Sequence, residues 1–219
     1  MDKLIIHLHP GAARAEQWRS RARSAGHLRR GELEGSMSGW YAACIALVVS
    51  GIATRAHVRT LQYEHRGMLE EFANLGMRSS GGLDAKGMAE LLQTIDAVAE
   101  VSRITGRQDR IVRQTLDRLA AGDVAVVSIS DTGLHDTAWR TAIGVEWRAD
   151  TTGERPTALL LLDPRHPCAD LMLWNGRLEI GDEPEIPMRY YDAEGGICSA
   201  RLKAVFTMSR KQVVPWAET

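Results

Sequence analysis

A thiol, an imidazole and a carboxylate are the components of nucleophilic acyl chemistry, and the chain carries one of each in suggestive settings: Cys44, His135 and Asp163. Each also has a purely structural reading. Cys44 lies in the longest apolar stretch, Ala42–Val49, where a cysteine is often a small core residue. His135 sits in the turn-like run Asp131-Thr132-Gly133-Leu134-His135-Asp136, which also suits an ordinary loop histidine. Asp163 precedes Pro164, a common turn-initiating pair. His166 and Cys168, two apart, match no zinc spacing and read as surface loop residues; His7 and His9 read as a structural or exposed pair on one side of a strand. No metal and no cofactor is expected.

These residues need elements to position them, and 219 residues supply one substantial core. With 44% hydrophobic and 25% charged residues the chain is an ordinary globular mixture. A formal net charge of −1 gives no overall attraction for nucleic acid or anionic membranes. The arginine-rich stretch Arg14–Arg30 lacks interleaved aromatics and is followed by Glu32 and Glu34, so it reads as a solvated helix face. No nucleic-acid and no membrane partner is expected. No run approaches the roughly 20 apolar residues that span a bilayer. The N-terminal MDKLIIHLHP is a poor secretory signal and a better first strand. Cys44, Cys168 and Cys198 are too few and scattered for a disulfide framework. A reducing, cytoplasmic setting fits, or export without a recognisable signal peptide.

Periodicity predicts helices over 12–24 and 40–52, the latter apolar on nearly every side, with Cys44 in its first turns. Short helices are expected over 60–76, then helices over 84–99, with Asp84 able to cap it, and 107–121, stopped by Gly122. After Gly122 the character changes. Val124–Ser130, Ala138–Trp147, Thr157–Asp163, Leu171–Trp174, Arg177–Ile180 and Leu202–Ser209 read as short antiparallel strands, with loops at Arg148–Pro156 and Gly181–Pro187. Helices first and strands second predict a single α+β domain, with a helical part over about 10–121 and a sheet part over about 122–216.

Gly39-Trp40-Tyr41-Ala42-Ala43-Cys44-Ile45-Ala46-Leu47-Val48-Val49 resembles the nucleophile helix of papain-like cysteine peptidases, especially the bacteriocin-leader peptidases and related bacterial effector proteases. Leu119–Ile129 is similar to the helix-to-strand passage before that family's catalytic histidine. Thr141–Val145 and Ala158–Pro164 are similar to its next two strands, the second ending in Asp-Pro. The resemblance spans about residues 36–165. It implies a papain-like fold with the nucleophile helix packed on the sheet, and a Cys44–His135–Asp163 triad. Cys44 would be the thiolate favoured by a helix start, His135 the proton carrier and Asp163 its orienting group. It implies a peptide or protein substrate cleaved through a thioester acyl-enzyme, or acyl transfer by the same triad.

Two departures stand out. The family places a glutamine about six residues before the cysteine as an oxyanion donor, and Ser38 stands there, leaving Ser38, Gln17 after a chain reversal and the Cys44 backbone N–H as the oxyanion candidates. The family's histidine also lies nearer the strand glycine than His135 lies to Gly144, which requires an insertion around Asp136–Ala138. Both departures support a second reading, a catalytically silent protein- or peptide-binding module.

Overall fold

In the computed structural model, residues 3–13, 28, 38–61, 69–79, 82–131, 137–151, 153–166, 173–181 and 187–211 are described. Five of the six late runs form antiparallel strands, β3 Val124–Asp131, β4 Thr137–Asp150, β5 Gly153–Leu162, β6 Gly176–Glu179 and β8 Ile197–Arg210, joined by an unexpected one, β7 Met188–Asp192; of the sixth run, Leu171–Trp174, the first two residues lie outside the described residues and the last two are in no strand. The order β4-β3-β8-β7-β6-β5 returns to β4 through a β4–β5 pairing, so these six strands close into a barrel. Two further strands extend the walls. β1 Lys3–Leu8 pairs with β4, and β2 Ala99–Ile104 pairs with β8.

This closed barrel overturns the expected papain-like α+β architecture of a helical half against an open sheet. The helices among the described residues are short, and β2 lies in the part of the chain assigned to helices, whereas β1 forms where the N-terminus reads as a first strand. Closure is a non-local pairing that strand-by-strand periodicity does not encode. Within the barrel, β4 and β5 continue nearly to their turn, from Asp150 to Gly153, where a loop over Arg148–Pro156 was expected.

Six helices accompany the barrel among the described residues: α1 Pro10–Ala13, α2 Ser38–Val49, α3 Arg55–Thr60, α4 Glu70–Arg78, α5 Ala85–Gln93 and α6 Gln108–Ala120. The expected helix over 12–24 lies almost wholly outside the described residues. Asp84 caps α5, its carboxylate accepting from the Gly87 N–H at 2.7 Å. Gly122, at φ +92°, ends α6 in the left-handed region that glycine adopts without strain.

Alternation along the strands divides the core in two. Ala125, Val127 and Ile129 of β3, Ala142 of β4, Leu159 and Leu161 of β5 and Val205 of β8 fill the barrel, and the apolar stripe of α6, including Ile111 and Leu116, packs on this group at one end. Val124 and Val126, Trp139 and Ile143, and Phe206 and Met208 point the other way, onto α2, α4 and α5. Each fully buried Leu or Ile on either side contributes roughly 1.5–3 kcal/mol. Being apolar all round, α2 is suited to the place between barrel wall and outer helices, and ten of its residues are buried.

Candidate functional site

Cys44 is the seventh residue of α2, not at its start, and is 0% exposed among apolar neighbours. At this depth its backbone N–H belongs to the helix's own i−4 bonding, leaving no donor for an oxyanion. Burial pushes the thiol well above its ordinary pKa, so the environment favours the protonated, unreactive form. The helix start is held by Ser38 instead: its Oγ accepts the Trp139 backbone N–H at 3.0 Å, tying α2 to β4. A second tie comes from Thr141, whose hydroxyl donates to the Ala42 carbonyl at 2.8 Å. His135 lies outside the described residues, as do Gln17 and Cys168.

Asp163 stands on the other side of that wall. Trp139 and Thr141 face α2, so Arg140 between them faces the barrel end, and it is Arg140 that meets Asp163. The Arg140 Nε donates to Asp163 Oδ2 at 2.7 Å, with side-chain exposures of 4% and 0%. Arg165 adds its backbone N–H to Oδ1 at 2.9 Å and its Nη2 to Oδ2 at 3.0 Å, and the Tyr190 hydroxyl donates to Oδ2 at 2.8 Å. The Arg140 guanidinium also lies over the Tyr190 ring, 4.1 Å from its centre.

Burial alone would raise the carboxyl's pKa, but the charge of Arg140 and the bonds from Arg165 outweigh it and hold Asp163 well below the ordinary carboxylate range. Tyr190 shifts the opposite way, raised by burial and by the neighbouring Asp163 charge, and stays a neutral phenol. The turn that carries Asp163 is fixed by buried Asn175. Its Oδ1 accepts the Asp163 N–H at 2.6 Å, and its Nδ2 donates to the carbonyls of Asp163 and His166 at 2.7 and 2.6 Å. Asp163 is thus both the turn initiator and the anchor of an ion cluster.

This cluster floors a cavity of about 340 Å³ at the barrel end opposite α6, where β3, β5 and β7 finish and β4 and β8 begin. Its lining includes Arg140, Arg165, Tyr190 and the apolar Ile129, Ala138 and Ile197, together with Cys198. Arg140 uses Nε on Asp163 and Nη1 on the Ala138 carbonyl, at 2.7 and 3.3 Å. On the rim, His166 Nδ1 stands 3.2 Å from Glu194 Oε2 and its Nε2 3.8 Å from Asp192 Oδ2, linking the Asp163–His166 turn to the β7–β8 turn. No group of three or more His, Cys, Asp or Glu side chains with metal-binding placement occurs among the described residues.

Of the expected site residues, then, Cys44 and Asp163 are separated by β4, Ser38 fastens a helix start, and His135 is not described. The residues that line the cavity, Arg140 above all, carried one sequence signal: a lone arginine in the middle of the apolar strand Ala138–Val145, with a lone aspartate ending the apolar strand Ala158–Leu162. Opposite charges in two buried strands are expected to meet. Scanned against protein-family models the chain matches none, and no curated protein matches it, so the peptidase resemblance rests on its four short segments alone.

Proposed function

We propose that the chain is a peptide- or protein-segment-binding module without thiol-hydrolase activity, whose ligand enters the cavity at the barrel end. One observation carries this reading. A guanidinium that is almost wholly buried, that of Arg140, lines a cavity whose wall also carries an isoleucine, Ile197, that is 65% exposed. A buried charged group and an exposed apolar rim on one cavity are the two halves of an amphipathic binding site. Against hydrolysis, the environment of Cys44 disfavours a thiolate, and a sheet separates it from the carboxylate meant to assist it.

No helix among the described residues is long and apolar enough to cross a membrane. A cytoplasmic setting belongs to the same proposal, supported by the buried free thiol of Cys44. The test is an array of defined peptides probed with labelled wild type, Cys44→Ala and Ile197→Glu, beside single-turnover hydrolysis of an activated ester. Binding kept by Cys44→Ala and lost by Ile197→Glu, with no ester cleavage that depends on Cys44, is the expected result. Cys44-dependent cleavage, or binding indifferent to Ile197→Glu, would overturn the proposal.

A further inference from the structure

We propose that β1 pairs edge to edge with β1 of a second copy of this chain, making a two-fold symmetric dimer through one continuous antiparallel sheet. Hydrogen-bonding parity supplies the donors and acceptors. The His9 N–H donates to the Ile143 carbonyl at 2.7 Å and continues the β1–β4 register, so Lys3, Ile5 and His7 also turn their backbone groups to β4. Leu4, Ile6 and Leu8 turn theirs to the opposite side, where no strand pairs with β1 among the described residues.

The side chains along this edge are those of an interface and not of a guarded edge. Among the described residues three large apolar side chains stand exposed, and two of them, Leu4 at 59% and Ile6 at 41%, share one face of β1. β2, which also pairs with a single strand, exposes Glu100 and Arg103, the kind of charged residue that deters edge pairing. β1 has one lysine, at its first residue.

The strand is its own complement, and this selects a second copy as the occupant. Centred on Ile5, antiparallel pairing sets Leu4 of each copy opposite Ile6 of the other, with the outward backbone groups of both residues facing each other and all their branched side chains in one patch. β4 frames that patch. Arg148 lies beside Leu4 and Glu146 beside Ile6, so each row across the dimer runs from an arginine through two apolar residues to a glutamate. An apolar centre between polar flanks is the anatomy of an interface. Centring the pairing on Ile6 would instead put Glu146 of both copies at the ends of one row. A six-residue edge is a small contact beside the roughly 1,200–2,000 Å² of a standard interface, so the pairing is reversible and concentration-dependent.

Sedimentation velocity of the full chain over a wide concentration range should show a reversible monomer–dimer equilibrium. Leu4→Lys and Ile6→Lys should each weaken dimerisation at least about tenfold, since a symmetric contact loses the apolar burial twice. Both positions are exposed, so circular dichroism should find the fold unchanged. Crosslinking reads the register. Ile5 meets its mate across the two-fold axis as a non-hydrogen-bonded pair, with Cα atoms about 4.5 Å apart, within disulfide range. Ile5→Cys should therefore oxidise to a covalent dimer above the wild-type background, whereas Leu4→Cys, about 7–8 Å from its mate, should not. If Ile5→Cys does not fold, the two lysine variants decide alone. A chain that stays monomeric at every concentration would refute the proposal, as would a dimer indifferent to both lysine variants. Open-ended oligomers, or crosslinking through Leu4→Cys in preference to Ile5→Cys, would refute the symmetric pairing.

Discussion

Replacing Asp163 by asparagine should destabilise the fold far more than the loss of one hydrogen bond, because it leaves a buried guanidinium without its counter-ion. The carboxylate is fully buried and accepts from Arg140, Arg165 and Tyr190. An asparagine can present only one oxygen, and its amide would point N–H groups at other donors. Arg140, 4% exposed, would keep the Ala138 carbonyl and the face of Tyr190 but lose its charged partner among the described residues. Removing one partner of a buried ion pair typically costs about 3–5 kcal/mol. For a chain of this length that corresponds to a fall of roughly 6–20 °C in Tm, at about 2–4 °C per kcal/mol. The measurement is urea unfolding followed by circular dichroism on Asp163→Asn, Arg140→Met and the double variant.

The double variant should be more stable than the sum of the single losses predicts by at least about 2 kcal/mol, since it removes both charges together. The pH dependence has a definite sign. The folded pKa of Asp163 is depressed, so its contribution is fully present above the unfolded carboxylate value, about 3.9, and is lost as pH falls below that toward the folded value. The gap between wild type and Asp163→Asn should therefore be constant near neutrality and narrow below about pH 4. A single-variant loss under about 1 kcal/mol, strict additivity in the double, or a gap that widens in acid would refute the ion-cluster account.

Two further outcomes follow from the packing. Native protein should react with iodoacetamide at Cys198, which lines the cavity, well before Cys44, whose labelling should track global unfolding; rapid native labelling of Cys44 would contradict its burial. Gly76→Ala should destabilise by roughly 1–3 kcal/mol despite the gain in helix propensity of about 1 kcal/mol, because the new methyl would sit only 2.0 Å from Cε3 of Trp40; a neutral or raised Tm would show that α4 and α2 can part cheaply.

What the sequence made legible is local. The uniformly apolar run of α2, the Asp84 cap of α5, the amphipathic stripe and Gly122 stop of α6, and the β-branched runs of β3, β4 and β5 are written in periods and punctuation that act over a few residues. β2 falls in the gap between the expected helices over 84–99 and 107–121, since Ala99–Ile104 alternates poorly and is defined by pairing with β8, some hundred residues later. β7 was hidden in a short tyrosine pair after a proline-containing loop. The closure of the barrel depends on β5 meeting β4 as well as β6, which no local pattern carries.

At the site, Asp163 was recognisable as a residue with work to do, but the order Cys44, His135, Asp163 along the chain says nothing about which face of β4 each would occupy. A one-residue alternation decides it. Trp139 and Thr141 point to the helices and Arg140 to the barrel end, so the partner of Asp163 is an arginine on the face away from Cys44.

The two long strands, β4 and β8, also constrain how the chain reaches its fold during synthesis. Lys3 pairs with Ala149, and β8, the last strand, supplies the partner for β2, β3 and β7 together. Until about residue 149 has emerged, the edge strand at the N-terminus has nothing to pair with, and until β8 arrives one side of β3 stays an open edge. Such late, long-range pairing makes for slow folding and a nascent chain exposed to wrong partners. A ribosome-bound or truncated chain ending before Ile197 would carry β2, β3 and β7 as unmatched edges at once, and so would depend on chaperones to a degree that the finished, closed barrel does not.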